Sequence, residues 1–384
     1  MRIAIDFTPF IPQMTGVDTY LKQLVLHLAK VDHSNQYRIY HNHEDHRFFA
    51  ENFSGNFSHT SISARPRPIR FISQHLLLPA AVYDWKADVV HSPSFIMPLI
   101  RGLARHVLTV HDMTSFSHPH CHIALRRSLL YRRMVLASLR RTDVVIVPSQ
   151  ATRRAILQFL PELEASRIQV TVPGISEEFR PCESVSVQEV VTRLMFPQPY
   201  ILYVGTLEPR KNLPALVESY RRLLETGAIK EHLVLAGKLG WGYKALLKQI
   251  QAPALRGKVH LAGYVDQQDL PAVFAGARLF VYPSLQEGFG FPPLEAMACG
   301  VPVVSTLSSS LVENLEKAAE LVPPDDVVAL TDAIRRLLTD ETLWALRRAQ
   351  GLEQAGHYRW DQTARDTLNS YQMAMAMDRR RGNG

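Results

Sequence analysis

At 384 residues the chain is too long for one ordinary hydrophobic core, so two domains are expected. An apolar share of 46% and a charged share of 21% exclude a disordered or low-complexity chain. The formal charge of +7 is lopsided: residues 1–178 carry 20 Lys/Arg against 14 Asp/Glu, and the rest carry 23 against 22.

The N-terminus, MRIAIDFTPF, lacks the charged-then-apolar pattern of a secretory signal, and no apolar run approaches the ~20 residues of a membrane span. Cys121, Cys182 and Cys299 are widely spaced and form no CxxC pair, which argues against a disulfide framework or a structural zinc site. A cytoplasmic location is expected. Short apolar runs at 3–5, 38–40, 88–90, 107–110 and 144–147 read as strands, and those at 201–204, 233–236, 259–262, 279–282, 301–304 and 320–322 read likewise. Runs without alternation suit parallel strands covered on both faces by helices. The alternation restarts after a proline-punctuated stretch (Pro181, Pro197, Pro199). The expected fold is therefore α/β, two Rossmann-like doubly wound domains facing a cleft. Their expected limits are 1–178, a linker at 179–198, and 199–358, with a helix over about 360–384 crossing back to the first domain.

Ligands of such sheets bind beyond the carboxyl ends of the strands. The first loop has no GxGxxG before its helix at 19–30, so a nicotinamide unit is not supported. His111-Asp112 follows a strand; that histidine suits a sugar hydroxyl, a metal, or a plain strand cap. His41/His43/His46 and His118/His120/His122 have metal-compatible spacing but sit in loop-like sequence without acidic partners, so no metal is expected. A helix at 123–141 carries Arg126, Arg127, Arg132, Arg133, Arg140 and Arg141 without an acid, opposite Leu125, Leu129, Leu130, Leu136 and Leu139. Such a basic amphipathic helix suits an anionic membrane, at about 1 kcal/mol per cation, or a solvated face of a packed helix. Arg65, Arg67, Arg70 and Arg379 to Arg381 add to the basic surface. Nucleic acid is not expected, because aromatics are not interleaved with these cations.

In the second half, Gly205-Thr-Leu-Glu-Pro-Arg210-Lys211-Asn212 leaves a strand and enters a helix over 213–224, with Asn212 as the expected N-cap. Two cations at a helix start make an anion site that a diphosphate would match, since a unit pair at 4 Å attracts by roughly 4 kcal/mol at an effective dielectric of about 20. Gly237 and Tyr264 follow the next strands and should converge on the same place. The segment Glu287-Gly-Phe-Gly-Phe-Pro-Pro-Leu-Glu295 puts two carboxylates eight positions apart, the second expected in the first turn of a helix begun by Pro292 and Pro293. Free carboxylates suit sugar or ribose hydroxyls.

Together Gly16, His111-Asp112, the 205–212 segment and the 287–295 segment resemble retaining glycosyltransferases of family 4, with the GT-B fold. Val172-Pro-Gly-Ile175, Pro323-Pro-Asp-Asp326 and Arg359-Trp360-Asp361 agree, so the resemblance spans nearly the whole chain. It implies that the C-terminal domain holds a nucleotide-diphosphate sugar, with Arg210 and Lys211 on the diphosphate and Glu295 on the ribose. Glu287 and the backbone of Gly288, Phe289 and Gly290 would hold the sugar, with Gly205, Gly237 and Tyr264 around the donor. His111 would meet the sugar, and Gly16 would let the first loop approach the phosphates. The first loop departs from the family pattern, with Thr15 before Gly16 and Asp18 at a usually small position. The resemblance also implies that no metal or cofactor is needed, the donor being the substrate. The wording of the 205–212 segment looks like bacterial surface-polysaccharide mannosyltransferases, which favours GDP-mannose as donor and a glycan or lipid-linked saccharide as acceptor, with peripheral contact at the inner membrane face. The competing readings are a UDP-glucose-dependent glucosyltransferase, a nucleotide-sugar epimerase or phosphorylase, and a non-catalytic subunit of glycan assembly.

Overall fold

The computed structural model describes residues 1–10, 15–53, 55–63, 69, 72–118 and 125–377, with backbone alone at 125–128. The chain divides into two compact units, 1–174 with 359–384, and 175–358.

The first unit is built on a seven-stranded parallel sheet: β1 (Arg2–Asp6), β2 (Gln36–His41), β3 (Phe57–Ser61), β4 (Val89–Ser92), β5 (Arg105–Thr109), β6 (Val144–Val147) and β7 (Ile168–Val170). Their order across the sheet is β3-β2-β1-β4-β5-β6-β7. The second unit has six parallel strands: β8 (Tyr200–Val204), β9 (His232–Ala236), β10 (Val259–Gly263), β11 (Leu279–Tyr282), β12 (Val303–Thr306) and β13 (Glu320–Val322), ordered β10-β9-β8-β11-β12-β13. The order reverses between β1 and β4 in the first sheet and between β8 and β11 in the second. Such a reversal opens a crevice at the carboxyl ends of the two strands. The doubly wound architecture is that expected from the uninterrupted apolar runs.

Two strands escaped the sequence reading. β3, Phe-Ser-His-Thr-Ser, lies at the sheet edge and needs one apolar anchor, and β7 is only three residues long. The run at 301–304 sits two residues later than expected. Val301 closes the preceding helix with its N–H on the Ala296 carbonyl, and the ladder begins beyond Pro302.

The expected linker is a correction. Residues 184–193 form helix Ser184–Arg193, and Phe179, Val191 and Phe196 are buried in the core of the second unit. Its prolines frame a helix of that unit instead of a flexible tether. At the other end, helix Trp360–Ala376 packs on helix Gly16–Val31, burying Trp360, Tyr371 and Ala374. His27 Nδ1 meets Asp361 at 2.6 Å, and the Thr363 hydroxyl donates to the Val172 carbonyl at 2.7 Å. Residues 378–384, including Arg379 to Arg381, lie outside the described residues, as do Arg65, Arg67, Arg70, His120, His122 and Cys121.

The loops after β8 and β9 press against each other. Gly237 has φ of 145°, and a Cβ there would stand 1.9 Å from the Gly205 carbonyl oxygen. Gly237→Ala is expected to destabilise the protein by about 2–5 kcal/mol, combining overpacking with backbone strain. Chemical denaturation checks it; an unchanged midpoint would mean that the loops part freely.

Candidate functional site

The strand-order reversal of the second unit sets the loop after β8 beside the loop after β11. Pro209–Lys211 forms a single 3-10 turn, and the Leu285 N–H donates to the Arg210 carbonyl at 2.9 Å, pinning one loop on the other. The side chains continue that join. Arg210 Nη1 donates to Glu287 Oε2 at 2.8 Å and to the Gln286 carbonyl at 2.7 Å, while its Nε and Nη2 reach Glu208. Lys211 Nζ donates to Glu287 Oε1 at 2.6 Å and to Tyr282 Oη at 2.5 Å. Ser284 and Tyr282 hydroxyls add bonds to Oε1 at 2.5 and 3.1 Å. Oε1 is thus crowded, whereas Oε2 keeps acceptor capacity.

Lys211, Tyr282, Ser284 and Glu287 are buried, and Arg210 and Glu208 are part-buried. Burial alone would raise the Glu287 carboxyl, but the Arg210 and Lys211 charges and the hydrogen bonds from Lys211 and Ser284 outweigh it and hold the group at about 2. Burial likewise pushes the Lys211 ammonium down, with Arg210 adding to the effect and Glu287 opposing it. Glu287 is therefore a permanent carboxylate. Counting Glu208, two anions balance two cations, so the cations are held ready without net charge.

The backbone of Glu287 is equally fixed. Ser309 Oγ accepts its N–H at 3.0 Å and donates to its carbonyl at 2.9 Å, and Ser310 donates to the same carbonyl at 3.0 Å. Ser309 has φ of 39°, a left-handed conformation that a non-glycine residue adopts only under constraint. Ser309→Ala is expected to lower turnover roughly tenfold by loosening Glu287, with thermal stability falling by about 1 kcal/mol. Unaltered kinetics would show that Ser310 alone is sufficient.

Glu295 is the electrostatic opposite. It lies on helix Phe291–Ala298 as the fifth residue, one turn later than expected. It is 8% exposed, and no hydrogen bond reaches its carboxylate from the described residues. Burial, with a smaller push from Glu178, raises it to about 8. Between the two glutamates, Gly290 takes φ of 90°, where a Cβ would meet Leu311 at 2.6 Å. Pro292 and Pro293 carry no N–H, so the donors at this helix start come from 288–291. The N–H groups of Phe289 and Gly290 have no acceptor among the described residues, while the Phe289 ring packs on Phe291 and Tyr358 and its carbonyl takes the Asn314 amide. Asn212 is the N-cap residue of helix Leu213–Glu225, as expected. It sits before the helix at φ of 53°, but its side chain caps nothing and instead donates to the Pro324 carbonyl at 2.8 Å.

Residues 14–179 match the family model for Glycosyltransferase Family 4, and residues 192–355 that for glycosyl transferases group 1. O-antigen chain mannosyltransferase B of Escherichia coli is 31% identical over 384 residues, which cover 97% of this chain and 100% of that protein. The chain is a family 4 glycosyltransferase. O-antigen chain mannosyltransferase RfbU of Salmonella typhimurium is 24% identical over 282 residues, 73% of this chain and 74% of that one. Among solved structures, Anabaena Alr3699/HepE in complex with UDP and glucose shares the GT-B fold, with a TM-score of 0.76 at 19% identity, covering 96% of this chain and 98% of that one.

In the first unit of the glycosyltransferase, His111 Nε2–H donates to the Pro93 carbonyl at 2.8 Å, and the ring packs edge-on against Tyr20 and Phe95. Burial pushes its imidazole below the ordinary value, so it is neutral and Nδ1 is its acceptor. Asp112 is occupied locally, accepting from the Thr114 N–H and hydroxyl. Gly16 opens helix Gly16–Val31. The unusual Asp18 is explained by its side chain, which accepts from the Thr15 N–H at 2.9 Å and hydroxyl at 2.6 Å as a reciprocal cap. Tyr264 in the second unit is exposed, with the Lys238 ammonium 4.9 Å over its ring.

The basic helix, Leu125–Arg141, is less free than its sequence suggests. Arg132 lies over the Phe116 ring and donates to the Phe116 carbonyl, Arg140 pairs with Glu162, and Arg141 donates to the Leu99 carbonyl. Arg133 is exposed, and so are Leu129 and Leu130, while Leu139 is buried. The side chains of Arg126 and Arg127 lie outside the described residues. Among the described residues no helix is long and apolar enough to cross a membrane. The residues that sequence reasoning missed are Glu208, Tyr282, Ser284, Ser309, Ser310 and Asn314. Glu208 lies inside the first segment singled out, and Tyr282 and Ser284 just before the second, whereas Ser309, Ser310 and Asn314 carry no signal in the sequence.

Proposed function

We propose that this glycosyltransferase transfers mannose from GDP-mannose, with retention of configuration, to a glycan or lipid-linked saccharide in the synthesis of a cell-surface polysaccharide. The observation that carries the donor is the full-length similarity to an O-antigen chain mannosyltransferase. A UDP-glucose-dependent glucosyltransferase is the competing reading.

The geometry supports a division of roles. Arg210 and Lys211 take the diphosphate, held in place by Glu287, whose free Oε2 capacity and the Phe289 and Gly290 N–H groups suit the sugar hydroxyls. Glu295, buried and without a hydrogen-bonding partner, suits the ribose diol, which would donate the two hydrogen bonds it lacks. Gly16, Gly205, Gly237, Gly288 and Tyr264 are assigned to the surroundings of the donor. His111 is assigned one substrate hydroxyl through Nδ1.

As the bond from the anomeric carbon to the phosphate oxygen breaks, the sugar gains oxocarbenium character and the diphosphate gains negative charge. Arg210 and Lys211 stabilise that charge as preorganised donors, so the step needs no metal. The acceptor oxygen bonds to the anomeric carbon from the leaving-group face, and its proton passes to the departing phosphate oxygen. Glu287 is assigned a positioning role and no covalent one, three donors holding its Oε1 and Arg210 its Oε2. Cytoplasmic work at the membrane face would bring a lipid-linked acceptor within reach, with Arg133, Leu129 and Leu130 as the contact. Liposome sedimentation that ignores anionic lipid would overturn that contact.

Thermal shift against GDP-mannose, UDP-glucose and dTDP-glucose tests the donor. A ligand at 100 times its Kd adds about 2.7 kcal/mol. The largest shift is expected with GDP-mannose; a shift confined to UDP-glucose would favour the competing reading.

A further inference from the structure

Away from the transfer site, three histidines of the first unit meet at the outer edge of its sheet. His41 is the last residue of β2, His59 lies in the edge strand β3, and His46 is the first residue of helix His46–Asn52. We propose that His41, His46 and His59 bind one divalent cation of the borderline class typified by zinc, stapling the edge strand and this helix to β2.

A nitrogen ligand sits about 2.0–2.1 Å from zinc, so two ligands of a tetrahedral ion stand about 3.3 Å apart. His41 Nε2 and His59 Nδ1 are 3.1 Å apart, and ligand atoms of all three histidines lie within 4.8 Å of one another. Side-chain rotation at His46, which is exposed, closes the remaining gap. The outer shell is in place. His41 Nδ1–H donates to the Asn42 carbonyl at 2.7 Å, which fixes Nε2 as the lone-pair nitrogen. Asn42 is itself buried, its amide held by the Thr8 carbonyl at 3.1 Å and Asp45 at 3.2 Å. Burial, with the neighbouring histidines, keeps His41 and His59 below the ordinary imidazole value, so both offer lone pairs at neutral pH. His43, which the sequence places in the same group, is not one of the three, and His59 from the overlooked strand takes its place. A fourth position is left for water.

The test is calorimetric titration of zinc chloride into full-length, tag-free protein stripped with a chelator, with melting temperature as a second readout. One ion per chain, a Kd in the micromolar range or tighter, and a rise in Tm on the order of 5 °C are expected. Magnesium, an oxygen-seeking ion, should give no shift. His46→Ala with His59→Ala should weaken binding by about 10-fold or more, and His43→Ala should bind as wild type. The double variant changes two partly exposed residues, so its metal-free Tm checks that it folds. Absence of stoichiometric binding, wild-type affinity in the double variant, or equal loss in His43→Ala would each overturn the site and leave only a His41–His59 hydrogen bond.

Discussion

Lys211→Ala is expected to lower turnover by roughly 10²–10³, the scale of losing one charge-stabilising donor. Arg210→Ala should fall in the same range. The two changes differ in what they leave behind. Lys211 is one of two cations on Glu287, and it is itself buried. Removing it leaves a carboxylate in a dry site with Arg210 as its remaining cation, a loss of about 3 kcal/mol of stability, at the low end for breaking a buried pair. Arg210 also spans two loops through the Gln286 carbonyl and Glu208, so Arg210→Lys should keep the charge and still lose most of the activity. Steady-state kinetics with a saturating donor, beside urea denaturation of each variant, separates the two effects. Near-normal turnover in both alanine variants would remove the cations from the mechanism.

Glu295→Gln should make the free protein more stable and the enzyme worse. The native carboxyl titrates at about 8 against an ordinary value of 4.5. Between those values the folded state holds a proton that the unfolded chain has released, so this group's contribution to stability falls as pH rises through that window. Glutamine removes the dependence. The variant should gain on the order of 4 kcal/mol over the wild type near pH 8 and nothing near pH 4.5. Donor affinity should move the opposite way. The ionised carboxylate accepts both hydroxyls of a diol, so wild-type binding should tighten as pH rises towards 8, while Glu295→Gln should bind at least about tenfold more weakly with a flat profile. Denaturation and donor titration at several pH values measure both. A variant no more stable than wild type at pH 8 would mean that Glu295 has a partner or solvent access in the free enzyme.

Much of this was written locally in the chain. The strands at 3–5, 144–147 and 279–282 were legible because a parallel strand covered on both faces is apolar throughout. β3 was not, since an edge strand tolerates Ser58, Thr60 and Ser61. Helix Ser184–Arg193 passed for a linker because it buries little beyond Val191, and prolines flank it. Arg210, Lys211, Glu287 and Glu295 stood out by residue type and spacing. Their contacts did not, because β8 and β11 are neighbours in the sheet but 74 residues separate Ser284 from Arg210. The Ser308 to Ser310 run reads as an ordinary loop; only the fold brings two of its hydroxyls to the Glu287 backbone. Likewise, nothing in the sequence distinguishes a carboxylate with four donors from one with none.

The proposed reaction moves mannose from GDP to its acceptor with the configuration kept. Proton NMR of the first-formed glycosidic bond, with GDP-α-mannose as donor and a lipid-linked saccharide as acceptor, tests it most directly. An α-mannoside is the predicted product. A β-mannoside would contradict it.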